Sequence, residues 1–470
     1  MKTNIFAIIL LLVIANIVAA YSQNTIPTIK AKSKYASVRI GKMLYQNAWE
    51  MSPNPQNDPE NINLGEVEEN GTIGAIITDS DSIGFVIKRR QKLLFRIILN
   101  EHDTVWAMFK GGAPKSSFTE VYKKEHDGKT FIEIPEPYEL VNIIMAITPR
   151  GIKDSNTISH DAAYYPAMMQ YFSPFKNHRM VTVMDSLLKA DAYYDIKMDA
   201  YSIAFRGDKL ERKTEYDRIS WGSENTILPY LSLIEDFAKK SKFSTFYKQN
   251  KPFYDRLIRA YRDSLGVSQM QEWLNNNFPK TRYNCFKIIF SPLVNADQST
   301  TDFESNGFKE GQPHVNFPDY WYNAKTSKLS PKSINIHRGN IVFTELNHLF
   351  ENPEFEKNQK NIDDFMAIQL NLVFFEDKTK SAGAYSNPLS CVEEYMNWAL
   401  VSLRFMDIGP KEDYENFFTN VENNQQIRRG FIQFKAFNRF LIKTYQERAK
   451  GQTVADLYPQ IIGWFREHNK

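Results

Sequence analysis

The sequence predicts an α+β fold in which an antiparallel β module precedes a mainly helical domain with a small sheet. Three observations carry that prediction. Short runs rich in Ile, Val and Phe, separated by Gly, Asp and Asn, occupy the chain from Gln23 to about Pro135. Past Pro137 the apolar period changes from two to about 3.6, and one β-favouring run at 284–290 interrupts the helical half. The composition suits such a chain: 470 residues, 42% hydrophobic and 14% aromatic, make two or three domains of about 150 residues and exclude wholesale disorder. With 58 Lys and Arg against 55 Asp and Glu the net charge is +3, too small to make nucleic acid an expected partner.

In chain order, residues 1–22 read as a signal peptide. Lys2 supplies the positive start, an apolar run over 5–18 broken only by Asn16 follows, and the small residues Ala19 and Ala20 close it. That run falls short of the roughly 18 to 20 residues needed to span a bilayer, and no second one follows. The mature chain is therefore expected to be secreted or periplasmic, with no membrane span after cleavage.

Residues 23–135 form the expected β module, with strands at 72–78, 82–88, 92–99, 104–109 and 129–134. Residues 136–470 form the helical domain. Tyr138, Leu140, Val141, Ile144 and Met145 make an amphipathic stripe, and 162–172, 180–189 and 227–237 repeat the pattern. The run at 284–290 ends at Ser291-Pro292 as a lone strand. Cys285 and Cys391 leave a disulfide open, since spacing cannot show that they meet.

A helix is expected at 341–350, with Val342, Leu346, Leu349 and Phe350 on one face, Asn340 as its cap and Asn352-Pro353 as its stop. Inside it stands Thr344-Glu345-Leu346-Asn347-His348. A zinc-peptidase helix carries His at i and i+4, about 40° apart on one face, so that both imidazoles reach one ion. The Glu after the first His serves the metal-bound water as general base. Here Glu345 and His348 stand in the base and second-ligand positions, and Thr344 replaces the first His. On spacing alone, Thr344→His would complete the pair. Among 8 His and 55 acidic residues about one such Glu–His spacing arises by chance, so the motif needs support from elsewhere.

Support comes from a second helix. Ser390-Cys391-Val392-Glu393 reads as a capping box opening a helix that runs to about Met406. Glu394 heads the stripe of Trp398, Val401 and Phe405, where a carboxylate is costly unless paired or metal-bound. A Glu from a downstream helix is the third ligand that a two-His-plus-Glu zinc site requires.

The stretch from about Pro137 to Tyr458 resembles a bacterial family of secreted proteins of unknown function whose core is similar to the gluzincin branch of zinc metallopeptidases. The matching segments are Tyr138-Glu139-Leu140-Val141-Asn142-Ile143-Ile144, Tyr171-Phe172-Ser173-Pro174-Phe175-Lys176-Asn177-His178, Phe243-Ser244-Thr245-Phe246-Tyr247 and Pro252-Phe253-Tyr254. The run at 286–293 and the region 345–353 complete them. The resemblance implies a zincin-like fold, with Glu345 as general base and His348 and Glu394 as metal ligands. It also implies that the strand bearing Phe286, Ile288 and Phe290 is the edge along which a peptide adds as a further strand. Thr344 departs from the family pattern, and a neutral hydroxyl replaces imidazole poorly on Zn²⁺.

No cofactor is therefore expected, and zinc only if another residue such as His337, His314 or Cys391 fills the gap. The expected function is that of a secreted pseudo-peptidase of metallopeptidase ancestry that binds a peptide or protein. Two alternatives stand beside it: a working zinc metallopeptidase with an altered ligand set, and a glycan-binding accessory protein using Tyr164-Tyr165, Tyr193-Tyr194 and Tyr320-Trp321-Tyr322 as stacking surfaces.

Overall fold

The computed structural model describes residues 26–161, 163–222, 224–317, 328–358, 371–385 and 388–470. The segment read as a signal peptide, 1–22, and Tyr320-Trp321-Tyr322 lie outside the described residues. The chain divides into two compact units, Met1–Lys115 with Trp221–Asn225, and Ser116–Ser220 with Thr226–Lys470. Helices and sheets both contribute, so the fold is α+β.

In the first unit the strands are β1 (Thr28–Ala31), β2 (Tyr35–Ile40), β3 (Met43–Glu50), β4 (Glu60–Glu66), β5 (Thr72–Ile77), β6 (Ser82–Ile87), β7 (Lys92–Leu99) and β8 (Asp103–Gly112). They form two four-stranded sheets, ordered β1-β7-β8-β4 and β3-β2-β5-β6. Alternation puts Phe95, Ile97 and Leu99 of β7 inward, where the Phe85, Phe95 and Phe109 rings meet with centroids 5.2 to 5.6 Å apart. The module is mixed rather than antiparallel. β1 and β4 reach the two flanks of the β7–β8 hairpin by crossing over instead of turning back, so each pairs in parallel.

The second unit contains β9 (Lys129–Glu133), β10 (Ile203–Arg206), β11 (Lys209–Arg212), β12 (Cys285–Phe290), β13 (Ser299–Ser305) and β14 (Phe308–Val315). Strands β10 and β11 make a hairpin, and the other four form a sheet ordered β13-β14-β12-β9. Two expectations change here. Because β9 pairs with β12, the break expected near Pro135 falls at Lys115. The expected lone edge strand is interior: β12 is flanked in parallel by β14 and β9, and Phe286, Ile288 and Phe290 are buried. Its backbone groups serve the sheet, so no peptide can add along it.

Helices at Glu136–Ala146, Tyr164–Phe172 and Arg179–Lys189 follow the expected stripes, and 227–237 becomes a 3₁₀ turn entering the helix Leu231–Lys240. One face of the four-stranded sheet carries Phe286, which stacks on Phe350 of the helix Asn340–Lys357 at 6.2 Å. The other carries Lys287 and Glu310, paired to the hydroxyls of Tyr122 and Tyr216. Among the described residues, no helix is long and apolar enough to cross a membrane.

Candidate functional site

The helix Asn340–Lys357 is held by Val342, Phe343, Leu346, Leu349 and Phe350, all buried, with Leu349 seated where Gly311 of β14 has no Cβ. Any side chain at 311 would overlap the Leu349 methyl, so this glycine sets how closely the helix approaches the sheet. Ile341, Glu345, His348 and Asn352, spaced by four, three and four residues, form its half-buried stripe. Pro353 does not stop the helix but lies inside it. A proline has no N–H for the carbonyl four residues earlier. That carbonyl, of Leu349, instead accepts from the Tyr283 hydroxyl at 2.9 Å.

The second helix spans Pro388–Ile408, so Ser390 and Glu393 lie within its first turns and the expected capping box is not its start. The two helices are tied by Asn347 Nδ2, which donates to the Asn397 carbonyl at 3.0 Å. Asn397 in turn places its side-chain amide 2.7 Å from His348 Nε2.

Glu394 is 4% exposed and fully partnered. Trp398 Nε1 donates to its Oε1 at 3.0 Å, Arg429 donates to the same oxygen, and His348 Nε2 lies 3.7 Å from Oε2. Burial alone would raise its pKa, but Arg429 and His348 outweigh it and hold the group below the ordinary carboxylate value. The Glu394 side chain is ionised, and its stripe position is tolerated because it is paired.

Burial opposes charge on His348 as well. The hydrogen bond to Glu351, at 3.1 Å from Nδ1, and the carboxylates of Glu351, Glu345 and Glu394 overcome it and push the pKa up to about 10. The same Asn397 nitrogen that meets His348 Nε2 lies 3.5 Å from Glu394 Oε2. Asn352 Oδ1 also lies 3.2 Å from Nδ1.

Glu345 is half-buried and makes no hydrogen bond to a described residue. Burial raises its pKa to about 7, against the opposing pull of His348. Lys197 is fully buried, and its ammonium donates to the Asp297 carbonyl at 2.5 Å, near the rings of Tyr193 and Tyr194. Burial lowers the Lys197 pKa to about 7, partly offset by Glu345 and Asp297.

His348 and Glu394 lie within ion-pair distance of each other, and Glu345 stands on the same half-buried helical stripe as His348. Thr344 is not part of the cluster chemically: it is 2% exposed and its hydroxyl donates to Ile341 O at 2.8 Å. None of the candidate substitutes completes a ligand set. His337 sits on another helix beside Phe417, His314 lies on β14, and Cys391 is buried. Among the described residues, no three His, Cys, Asp or Glu side chains are grouped to hold a metal ion. Cys285 and Cys391 are free thiols. Tyr164 and Tyr193 are buried, one donating to Glu139 and the other to the Thr157 carbonyl, so they are packing residues rather than stacking surfaces.

Sequence reasoning missed Asn397, Lys197, Tyr385 and Arg429. Asn397, three residues after Glu394, shares its helix face and was within reach of a periodicity argument. The others arrive from distant segments with no local pattern. Compared with known protein families, curated proteins and solved structures, the chain matches none.

Proposed function

We propose that this is a secreted, zincin-like protein of metallopeptidase ancestry that binds a peptide or protein segment without hydrolysing it. The observation that carries this reading is that the residues in ligand positions are engaged within the protein. Both ring nitrogens of His348 have partners in Glu351, Asn352 and Asn397, and the Thr344 hydroxyl is tied to Ile341. A metallopeptidase needs three ligands with free lone pairs and an open position for water. What remains is the half-buried Glu345, with β13 and β9 as the two edges of the sheet among the described residues and β13 the edge that packs against the helix bearing Glu345. An extended peptide would add there through main-chain hydrogen bonds.

The test uses the mature chain and a pool of fluorescent, randomised peptides carrying a photo-crosslinker. Binding without cleavage, with crosslinks in Ser299–Ser305, is expected. Zinc-dependent cleavage of the pool would overturn the reading in favour of the altered-ligand peptidase.

A further inference from the structure

Residues in the positions of a zinc site do not fit the ion here. Beyond Thr344, the carboxylate oxygen Oε1 of Glu394 already accepts from Trp398 and Arg429. Arg429 is specifically delivered to that oxygen. It ends the π-helical turn Asn424–Arg429, and Gly430 at φ +93° reverses the chain immediately afterwards. A side chain at 430 would be strained and would crowd the Cβ atoms of Lys380 and Asp377, so the reversal depends on glycine. π-Turns recur at functional sites because the extra residue re-aims a side chain.

The guanidinium is held by hydrogen bonds and flanked by aromatic rings. Arg429 Nη2 donates to the Tyr385 hydroxyl at 2.8 Å and Nη1 to Gln425 Oε1 at 2.9 Å. Its centre lies 5.0 Å from the Phe431 ring centroid, 5.5 Å from that of Tyr385 and 5.8 Å from that of Trp398. Aromatic faces at these distances stabilise a cation.

We propose that Arg429 is the resident cation of this site, a chain-borne replacement for the charge a metal would supply. The inference rests on the metallopeptidase ancestry proposed above. A guanidinium stays charged at every pH the protein meets and is oriented by a fixed fork of donors. It therefore neutralises Glu394 permanently. It has no vacant coordination position and cannot activate a water as zinc does. The substitution keeps a cation beside Glu394 while removing hydrolysis, which suits a binding site. It also means that Thr344 is not the only lesion: restoring His at 344 leaves Glu394 still paired to Arg429.

The experiment compares the full mature chain with Thr344→His, Arg429→Met and the two combined, using zinc chloride as probe and reading zinc per chain after dialysis and the zinc-induced shift in Tm. Thr344→His alone should take up no more zinc than the native chain, and the combined variant should gain about one zinc per chain. Uptake by Thr344→His with Arg429 in place overturns the proposal, while leaving peptide binding without cleavage untouched. Failure of the combined variant to bind more zinc than Thr344→His also overturns it. If removing Arg429 prevents folding, Arg429→Met with Glu394→Met decides. Recovered folding supports a role for Arg429 in offsetting the Glu394 charge, and folding not recovered overturns it.

Discussion

The Tyr283 hydroxyl donates to the carbonyl of Leu349, the group that Pro353, four residues on, cannot serve. One tertiary hydrogen bond thus lets the helix bearing Glu345 and His348 run through a proline. Tyr283→Phe should lower stability by about 1 to 3 kcal/mol, the cost of stranding a polar group, measured by urea denaturation. An unchanged midpoint would show that water replaces the hydroxyl.

Glu139 predicts a pH dependence. It is fully buried, with Oε1 accepting from Tyr164 at 2.8 Å, and burial raises its pKa to about 7. A carboxyl whose folded pKa lies above its unfolded value holds its proton longer in the folded state. Its contribution to stability is full below pH about 4.5 and is lost as pH rises through about 7. Tm measured across that window should fall less steeply in Glu139→Gln than in the native chain. Parallel slopes would mean that Glu139 does not titrate there.

Lys287 and Glu310 form a buried pair at 3.5 Å, with the lysine also donating to Tyr122 at 2.6 Å and Tyr216 at 2.9 Å. Lys287→Met should cost about 3 to 5 kcal/mol because Glu310 is left without its cation. Adding Glu310→Met should recover most of that loss, since the two tyrosine hydroxyls still meet at 2.8 Å. A double-mutant cycle with no coupling contradicts this.

The thiols supply a simpler check. Cys285 and Cys391 are buried, and burial pushes both pKa values well above the ordinary thiol value. A disulfide-exchange reagent should label neither in the native protein and both after denaturation. Fast labelling of either in the folded state would contradict their burial.

Legibility in the sequence followed locality. Arg179–Lys189 was readable because its stripe needs no partner to be recognised. The strands β1 to β4 were not, since segments such as ENINLGE place Asn and Glu where a half-buried strand carries apolar residues. Pro353 was misread as a stop because its compensation comes from Tyr283, far away in sequence. At the candidate site, Glu345, His348 and Glu394 emerge from spacing and from the cost of a carboxylate on an apolar stripe. Arg429 does not, because its partner lies 35 residues earlier and nothing local marks the π-turn that aims it.

The central claim is that Arg429 stands beside Glu394 as a chain-borne cation in place of a metal. Zinc content of the purified protein, measured by elemental analysis after mild dialysis, tests it most directly. The account predicts no stoichiometric zinc, and no change in content on His348→Ala. About one zinc per chain, lost in His348→Ala, would contradict it and restore the metallopeptidase with an altered ligand set.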